Sequence, residues 1–143
     1  DTGGAERARA YAKPLDAGLA LCDKRRERAN EADVMNIVGD VSGKNCLIVD
    51  DMCDTGGTIC KVAQALHEAG ANEIFAVFTH GVLSGGAYDK IAKSHLKKVI
   101  VSNTIPARNG SSGGKVEVLS VAGLLASAIR SIHDETSVSS LFI

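Results

Sequence analysis

The chain has 143 residues, of which 45% are hydrophobic and 23% charged, and its formal net charge is −1. This length fits one domain, and the charge balance gives no general attraction to nucleic acids or to membrane surfaces. No apolar run approaches the roughly 20 residues of a membrane span. We therefore expect a soluble globular protein with neither nucleic acid nor membrane as a partner.

Four cysteines give a first indication of the compartment. They lack the C-x-x-C spacing of metal and redox motifs, and none has a histidine at zinc-finger spacing. We expect reduced thiols in a cytoplasmic protein, because disulfides persist mainly in oxidising compartments. Of the four, Cys53 follows an apolar run in a predicted loop, so it is the one we expect to be reactive. The cysteines are Cys22, Cys46, Cys53 and Cys60.

Residues 4–38 show only a weak periodicity of apolar residues. Residues 4–14 are rich in Ala and Arg and end in proline, which predicts a helix. Residues 18–22 predict a short buried strand, and residues 34–38 predict another. Between them, residues 23–33 are almost all charged or amide residues, so we expect an exposed loop.

From residue 45 onward, apolar runs typical of strands alternate with helical patterns. The clearest helix, 57–69, has apolar residues at helical spacing and a glycine directly after it. Alternation of this kind predicts an α/β fold with a parallel sheet covered by helices on both faces. The predicted strands are 45–50, 73–79, 97–102 and 115–121, and the predicted helices are 57–69, 84–93 with Ser84 as N-cap, and 122–133.

The stretch CLIVDDMCDTGGT, residues 46–58, combines carboxylates with an anion-binding bend. Asp50 and Asp51 follow an apolar run, at the end of a strand where α/β sheets bind ligands. Residues 55–58 then lead into the predicted helix, whose first N–H groups are free and whose N-terminus carries a partial positive charge. A phosphate monoester fits such a bend, but neither a Walker loop nor a G-x-G-x-x-G motif is present.

Carboxylates beside a phosphate repel it unless they meet hydroxyls or a cation. A sugar phosphate would suit both parts of the stretch: its ribose hydroxyls would donate to the aspartates, and its 5-phosphate would lie on the bend. Mg²⁺ would relieve the negative charge further. The alternative is that Asp50 and Asp51 merely end a strand and that Asp54 caps a helix. The residues alone leave both interpretations open.

The motif VDDMCDTGGT resembles the phosphoribosyl-binding motif of the type I phosphoribosyltransferase fold. The segments DKRRERANEADVMNIVGDVSGK, THGVLSGGA, VSNTIP and SVSSLF resemble the ribose-phosphate pyrophosphokinase family, so that the resemblance covers essentially the whole chain. It implies an α/β three-layer sandwich with a mostly parallel central sheet. It also implies that residues 1–143 form the C-terminal phosphoribosyltransferase-like domain of a two-domain enzyme, whose N-terminal domain is absent.

The resemblance further implies an activity. Such an enzyme transfers pyrophosphate from Mg-ATP to the 1-hydroxyl of ribose 5-phosphate, which gives phosphoribosyl pyrophosphate and AMP. The implied cofactor is Mg²⁺, the substrates are ATP and ribose 5-phosphate, and the effectors are phosphate and ADP. A homo-oligomer of dimers assembled into hexamers is implied too, and the isolated piece is expected to turn over poorly.

The residue roles are carried over by position from the same resemblance. Two cations close over the triphosphate, a row of residues holds the sugar phosphate, one aspartate binds metal, and two serines contact an allosteric phosphate. The matching positions are Lys24 and Arg26 for catalysis; Asp50, Asp51, Asp54, Thr55, Gly56, Gly57 and Thr58 for ribose 5-phosphate; Asp1 for metal; and Ser137 and Ser139 for the allosteric phosphate.

Two other functions compete with this interpretation. A phosphoribosyltransferase that consumes phosphoribosyl pyrophosphate would need a hood that recognises a nucleobase, and the sequence shows no segment of that kind. A non-catalytic regulatory paralogue would be expected to have a damaged motif, whereas both the KRR loop and DDxxDTGGT are intact. We interpret His80 as a structural or substrate-adjacent residue rather than as a general base.

Overall fold

The computed structural model describes residues 2–25, 34–106 and 114–142, and for residues 2–3, 23–25 and 34–35 it describes the backbone only. Helices and strands alternate along most of this length. In chain order the elements are α1 (Thr2–Ala12), β1 (Leu21–Arg25), β2 (Val34–Val38), β3 (Cys46–Cys53), α2 (Gly57–Glu68), β4 (Ile74–Gly81), α3 (Ala87–Lys93), β5 (Leu96–Ser102), β6 (Val116–Leu119), α4 (Ala122–His133) and a 3₁₀ helix (Val138–Leu141).

The central sheet is parallel throughout. Its four strands lie in the order β3-β4-β5-β6, while β1 and β2 form a separate antiparallel ribbon. Parallel neighbours require crossover connections, and α2 and α3 provide them between β3 and β4 and between β4 and β5. The predicted α/β fold with a mostly parallel central sheet is therefore confirmed.

The core lies between the sheet and helices α2 and α3. The apolar residues at alternate positions of β4 and β5 point to one face, where they meet the apolar stripe of each helix. Almost all of these side chains are aliphatic, as expected for a chain without tryptophan. The core residues of the four elements are Ile59, Ala63, Leu66, Ile74, Ala76, Phe78, Ala87, Ile91, Leu96, Val99 and Val101.

Helix α4 differs from α2 and α3 because none of its residues is buried. Leu124, Leu125, Ile129 and Ile132 leave between 46% and 68% of their surface exposed. The helix contacts the 3₁₀ helix that follows it. Its amphipathic pattern is real, but in the described chain its apolar stripe lacks a buried partner.

The first strand lies later in the chain than predicted. Strand β1 begins at Leu21 and continues through Arg25, so residues 23–25 are strand and not loop. The ladder to β2, in which Lys24 is opposite Met35, satisfies the backbone there despite the charged side chains. Nor is the strand fully buried, since Leu21 is 41% exposed.

The bounds of several other elements also differ from the prediction, and those of β3 and α3 bear on the site. Strand β3 does not stop at the carboxylates but continues to Cys53, because its ladder with β4 continues to Gly81. Helix α3 begins at Ala87, and its N-cap is Gly86 in the left-handed region, not Ser84. The hydroxyl of Ser84 instead donates to Asp54.

No helix within the described ranges is long and apolar enough to cross a membrane. All four cysteines are free, which agrees with the predicted reduced state.

Candidate functional site

The bend between β3 and α2 presents a set of peptide donors. Gly56 adopts φ 72° and ψ −1°, a left-handed conformation that glycine takes at little cost, and α2 starts at the next residue. The peptide N–H of Gly56 donates to the Cys53 sulfur, whereas those of Thr55, Gly57 and Thr58 have no hydrogen-bond acceptor among the described residues. These three groups point out of a helix N-terminus and are available to an anion.

A second segment, after β4, braces this bend. The peptide N–H of Leu83 donates to the Cys53 carbonyl at 3.1 Å, and that of Ser84 donates to the Asp54 carbonyl at 3.0 Å. The Ser84 hydroxyl also donates to the Asp54 carboxylate. One side-chain oxygen of Asp54 is therefore engaged within the protein, which shapes the bend before any ligand arrives.

Lys90 on α3 completes the brace. Its ammonium donates to the Thr55 carbonyl at 2.9 Å and to the Gly85 carbonyl at 3.3 Å. Because the Thr55 carbonyl accepts this hydrogen bond, its peptide plane is held, and the N–H groups of the residues that follow keep their direction. From the sequence, Lys90 was not singled out and Ser84 was predicted only as an N-cap. The signal that could have assigned both to the site is that β3 and β4 are parallel neighbours, whose following loops meet at one edge.

The two carboxylates that precede the bend share one cation. Arg7 on α1 donates from Nη1 to Asp50 Oδ1 at 2.7 Å and from Nη2 to Asp51 Oδ2 at 3.2 Å. The peptide N–H of Asp51 also donates to Asp50 Oδ1 at 2.9 Å. Arg7 was not singled out from the sequence, and a single chain offers no signal for a contact across more than forty residues.

The carboxylates and the bend lie along one line. Both aspartates are in β3, and Asp54 follows Asp51 by three residues, or roughly 10 Å of extended chain. A pentose phosphate with a hydrogen bond at each end can span such a distance. The described structure thus brings together seven of the predicted site residues, Asp50, Asp51, Asp54, Thr55, Gly56, Gly57 and Thr58, on one strand and the bend after it.

Cys53 does not have the environment of a reactive thiol. It is the last residue of β3 and only 3% exposed. Burial, with a smaller contribution from neighbouring Cys60, raises the pKa of the Cys53 thiol to about 11. Our expectation of reactivity is therefore wrong, because the brace from Leu83 covers the position that looked like an open loop.

His80 lies within β4 rather than after it. Its Nδ1 is 2.9 Å from the hydroxyl oxygen of Thr104, which itself donates to the Thr79 carbonyl at 2.9 Å. This network ties the end of β4 to the segment after β5. The contacts agree with the structural alternative for His80.

The predicted catalytic and metal positions are only partly described. Lys24 lies on β1, where the backbone alone is described, and Arg26 and Asp1 fall outside the described residues. Within the described ranges, no group of three or more His, Cys, Asp or Glu residues could hold a metal ion. The roles of Lys24, Arg26 and Asp1 stay predictions.

The two serines predicted to bind an allosteric phosphate lie at the 3₁₀ helix. Ser137 precedes its first residue, Ser139 is within it, and both are exposed. A hollow of about 430 Å³ lies along the second half of α4, and neither serine is among its lining residues, which are Ala126, Ser127, Arg130, Ser131, Asp134 and Thr136. The effector role of Ser137 and Ser139 also stays a prediction.

Comparison with known proteins identifies the family. Residues 25–143 match the family described as "Phosphoribosyl synthetase-associated domain". The chain belongs to this phosphoribosyl synthetase family. The matched range includes β3, the bend and the segment that braces it, while Arg7 lies before that range.

Relatives of known name agree with the family. The chain is 53% identical to a ribose-phosphate pyrophosphokinase of Bordetella parapertussis and 54% identical to one of Ralstonia nicotianae. Both alignments cover 99% of this chain but 46% and 45% of those proteins. The chain therefore spans just under half the length of these phosphoribosyl synthetase relatives.

A solved structure confirms the fold. The phosphoribosylpyrophosphate synthetase of Mycobacterium smegmatis superposes with a TM-score of 0.83 at 38% identity, over 93% of this chain and 43% of that one. The fold predicted from the resemblance is thus the fold of this phosphoribosyl synthetase domain.

Proposed function

We propose that the protein carrying this chain is a ribose-phosphate diphosphokinase, which transfers pyrophosphate from Mg-ATP to the 1-hydroxyl of ribose 5-phosphate. One observation carries the proposal: two carboxylates on β3 lead into a bend in which the peptide N–H groups of Thr55, Gly57 and Thr58 have no acceptor among the described residues. In this proposal the 5-phosphate accepts hydrogen bonds from these N–H groups. The ribose hydroxyls donate to Asp50 and Asp51, so the sugar is fixed at both ends.

Fixing the sugar in this way is most of what this chemistry needs. Phosphoryl-group transfer depends mainly on positioning the reactants and on stabilising charge, and held reactants gain a large effective concentration. A ribose held at its phosphate and at two hydroxyls presents its anomeric carbon, and the 1-hydroxyl on it, at a fixed place. The braced bend supports such positioning because it is already shaped in the ligand-free chain.

Charge stabilisation is assigned to Lys24 and Arg26. We propose that both cations neutralise charge that develops on the transferred group, with the arginine fork donating to phosphate oxygens. Mg²⁺ enters with ATP as part of the substrate. We also propose Asp1 as a metal ligand, which requires a second ligand because the described residues lack a metal-binding group.

We extend the proposal to the setting of the enzyme. The cytoplasm is the proposed compartment, in agreement with four free cysteines. Phosphate and ADP are the proposed effectors, acting through Ser137 and Ser139, and the proposed assembly is a homo-oligomer of dimers and hexamers. Residues 1–143 would supply the phosphoribosyltransferase-like domain of a two-domain enzyme.

The test is AMP formation from ATP, measured on the whole protein with and without ribose 5-phosphate. AMP that appears only with the sugar, together with phosphoribosyl pyrophosphate, is the expected result. In the same assay Lys24→Ala should lower kcat by about 100-fold or more, while KM for ribose 5-phosphate changes by about threefold at most.

The control is Lys44→Ala, which removes an exposed ion pair with Asp40 on the turn before β3. It should leave kcat unchanged. Pyrophosphate release from added phosphoribosyl pyrophosphate that depends on a nucleobase, with no AMP from ATP and ribose 5-phosphate, would instead identify a phosphoribosyltransferase and overturn the proposal.

A further inference from the structure

Arg7 holds both carboxylates of the proposed sugar site at once. We propose that it is a positioning residue, which sets Asp50 and Asp51 to receive the vicinal hydroxyls of the pentose and so determines the preference for ribose over 2-deoxyribose. This inference rests on the proposed function. Its evidence is the pair of contacts from one guanidinium to two adjacent side chains.

The guanidinium engages only half of each carboxylate. Nη1 donates to Asp50 Oδ1 and Nη2 donates to Asp51 Oδ2, and the Asp51 peptide N–H also donates to Asp50 Oδ1. In the part of the chain that the structure describes, Oδ2 of Asp50 and Oδ1 of Asp51 have no hydrogen-bond partner. Each carboxylate therefore keeps one oxygen available to accept a hydrogen bond from a sugar hydroxyl.

The shape of arginine matters for this role. A guanidinium is planar, and its nitrogens have a fixed separation, so it fixes the distance between the two carboxylates that it binds. Successive strand residues point to opposite faces, and without a shared cation nothing described would keep the two charged groups together. Two oxygens held at a set spacing suit the adjacent 2- and 3-hydroxyls of ribose, whereas a 2-deoxy sugar offers only the 3-hydroxyl of that pair.

Stability is not the main contribution of these contacts. The side chains of Asp50 and Asp51 are 53% and 60% exposed, and that of Arg7 is 34% exposed. Ion pairs this exposed contribute little to folding because water screens them. Their consequence is expected in ligand preference, which a merely structural tie between α1 and β3 would not change.

The experiment titrates the whole protein with ribose 5-phosphate, 2-deoxyribose 5-phosphate and inorganic phosphate by calorimetry. The natural protein should prefer ribose 5-phosphate over the 2-deoxy sugar by about tenfold or more, since a hydrogen bond to a charged group is lost. In Arg7→Gln this preference should fall to about twofold, while affinity for inorganic phosphate stays within about twofold of the natural protein.

The matched control is Arg9→Gln. It makes the same substitution on the same helix, at an exposed arginine for which no contact with a carboxylate is found among the described residues. It should keep the natural preference. Arg7→Lys should also lose preference, by about threefold or more, because one ammonium cannot fix two carboxylates at a set spacing; this variant decides the matter if Arg7→Gln does not fold.

Three outcomes would overturn the inference. An unchanged preference in a folded Arg7→Gln, or tighter binding of ribose 5-phosphate by that variant, would show that Arg7 does not set the carboxylates for the sugar. These results leave the proposed function intact. If the natural protein binds neither sugar phosphate, the proposed function itself is wrong, and the role of Arg7 is wrong with it.

Discussion

Helices α2 and α4 have the same length of twelve residues and a similar amphipathic pattern, yet their apolar faces have different environments. In α2, Ile59, Ala63 and Leu66 are buried against the sheet, whereas α4 has no buried residue. Periodicity predicts that a helix has an apolar face but does not say what covers it. The difference teaches that a pattern fixes the element, while burial depends on the rest of the fold.

The strongest way to sharpen this comparison is a matched pair of isoleucines. Ile91 on α3 is completely buried and Ile129 on α4 is 67% exposed. We expect Ile91→Ala to lower the free energy of unfolding by about 2–5 kcal/mol, because it leaves a cavity. Ile129→Ala should change it by about 0.5 kcal/mol or less. Urea unfolding followed by circular dichroism measures both, and equal losses would show that the apolar face of α4 is covered in solution.

Thiol chemistry gives a second comparison, between the buried end of β3 and exposed α4. Burial raises the pKa of Cys53 from its ordinary value of 9.0 to about 11, so at pH 8 its thiolate fraction is about 100-fold lower than that of an unshifted thiol. A cysteine introduced as Ser127→Cys on exposed α4 provides the reference. Mass spectrometry of alkylated protein should show Cys53 reacting at least about 100-fold more slowly than the introduced residue. Similar rates would mean that the end of β3 opens readily.

The smallest expected effects come from two glycines, and they have opposite signs. A Cβ at Gly81 would lie 2.9 Å from Val101 Cβ, so Gly81→Ala should destabilise the protein by about 1–3 kcal/mol. Gly123 on α4 has open space around it, so Gly123→Ala should stabilise by up to about 1 kcal/mol. Thermal unfolding distinguishes the two. A destabilising Gly123→Ala would indicate that α4 packs more closely than the structure shows.

Local patterns were sufficient for part of the fold. The bounds of β2 and α4 agree with the prediction, as does the start of α2 at Gly57, because periodicity and a glycine-containing bend mark these elements. The predicted end of β3 was wrong because polar residues do not by themselves end a strand. The strand ends where its ladder with β4 ends, and β4 lies some thirty residues further along the chain.

The candidate site shows the same division. The carboxylates and the bend are contiguous in sequence, so they could be read directly from it. Arg7, Ser84 and Lys90 are thirty or more residues from Asp50, Asp54 and Thr55, which they contact, and only the fold brings them there. Each has the residue type of many surface positions, so residue type does not distinguish them from solvated side chains, and only the order of the parallel strands points to Ser84 and Lys90.

The brace between residues 83–84 and the end of β3 consists partly of peptide groups, and this has an evolutionary consequence. Both backbone hydrogen bonds join main-chain donors to main-chain acceptors, so among single substitutions only proline removes a donor. These two bonds therefore persist through most changes of side chain. Selection on the side chains has other causes: Leu83 is only 4% exposed, and the Ser84 hydroxyl donates to Asp54.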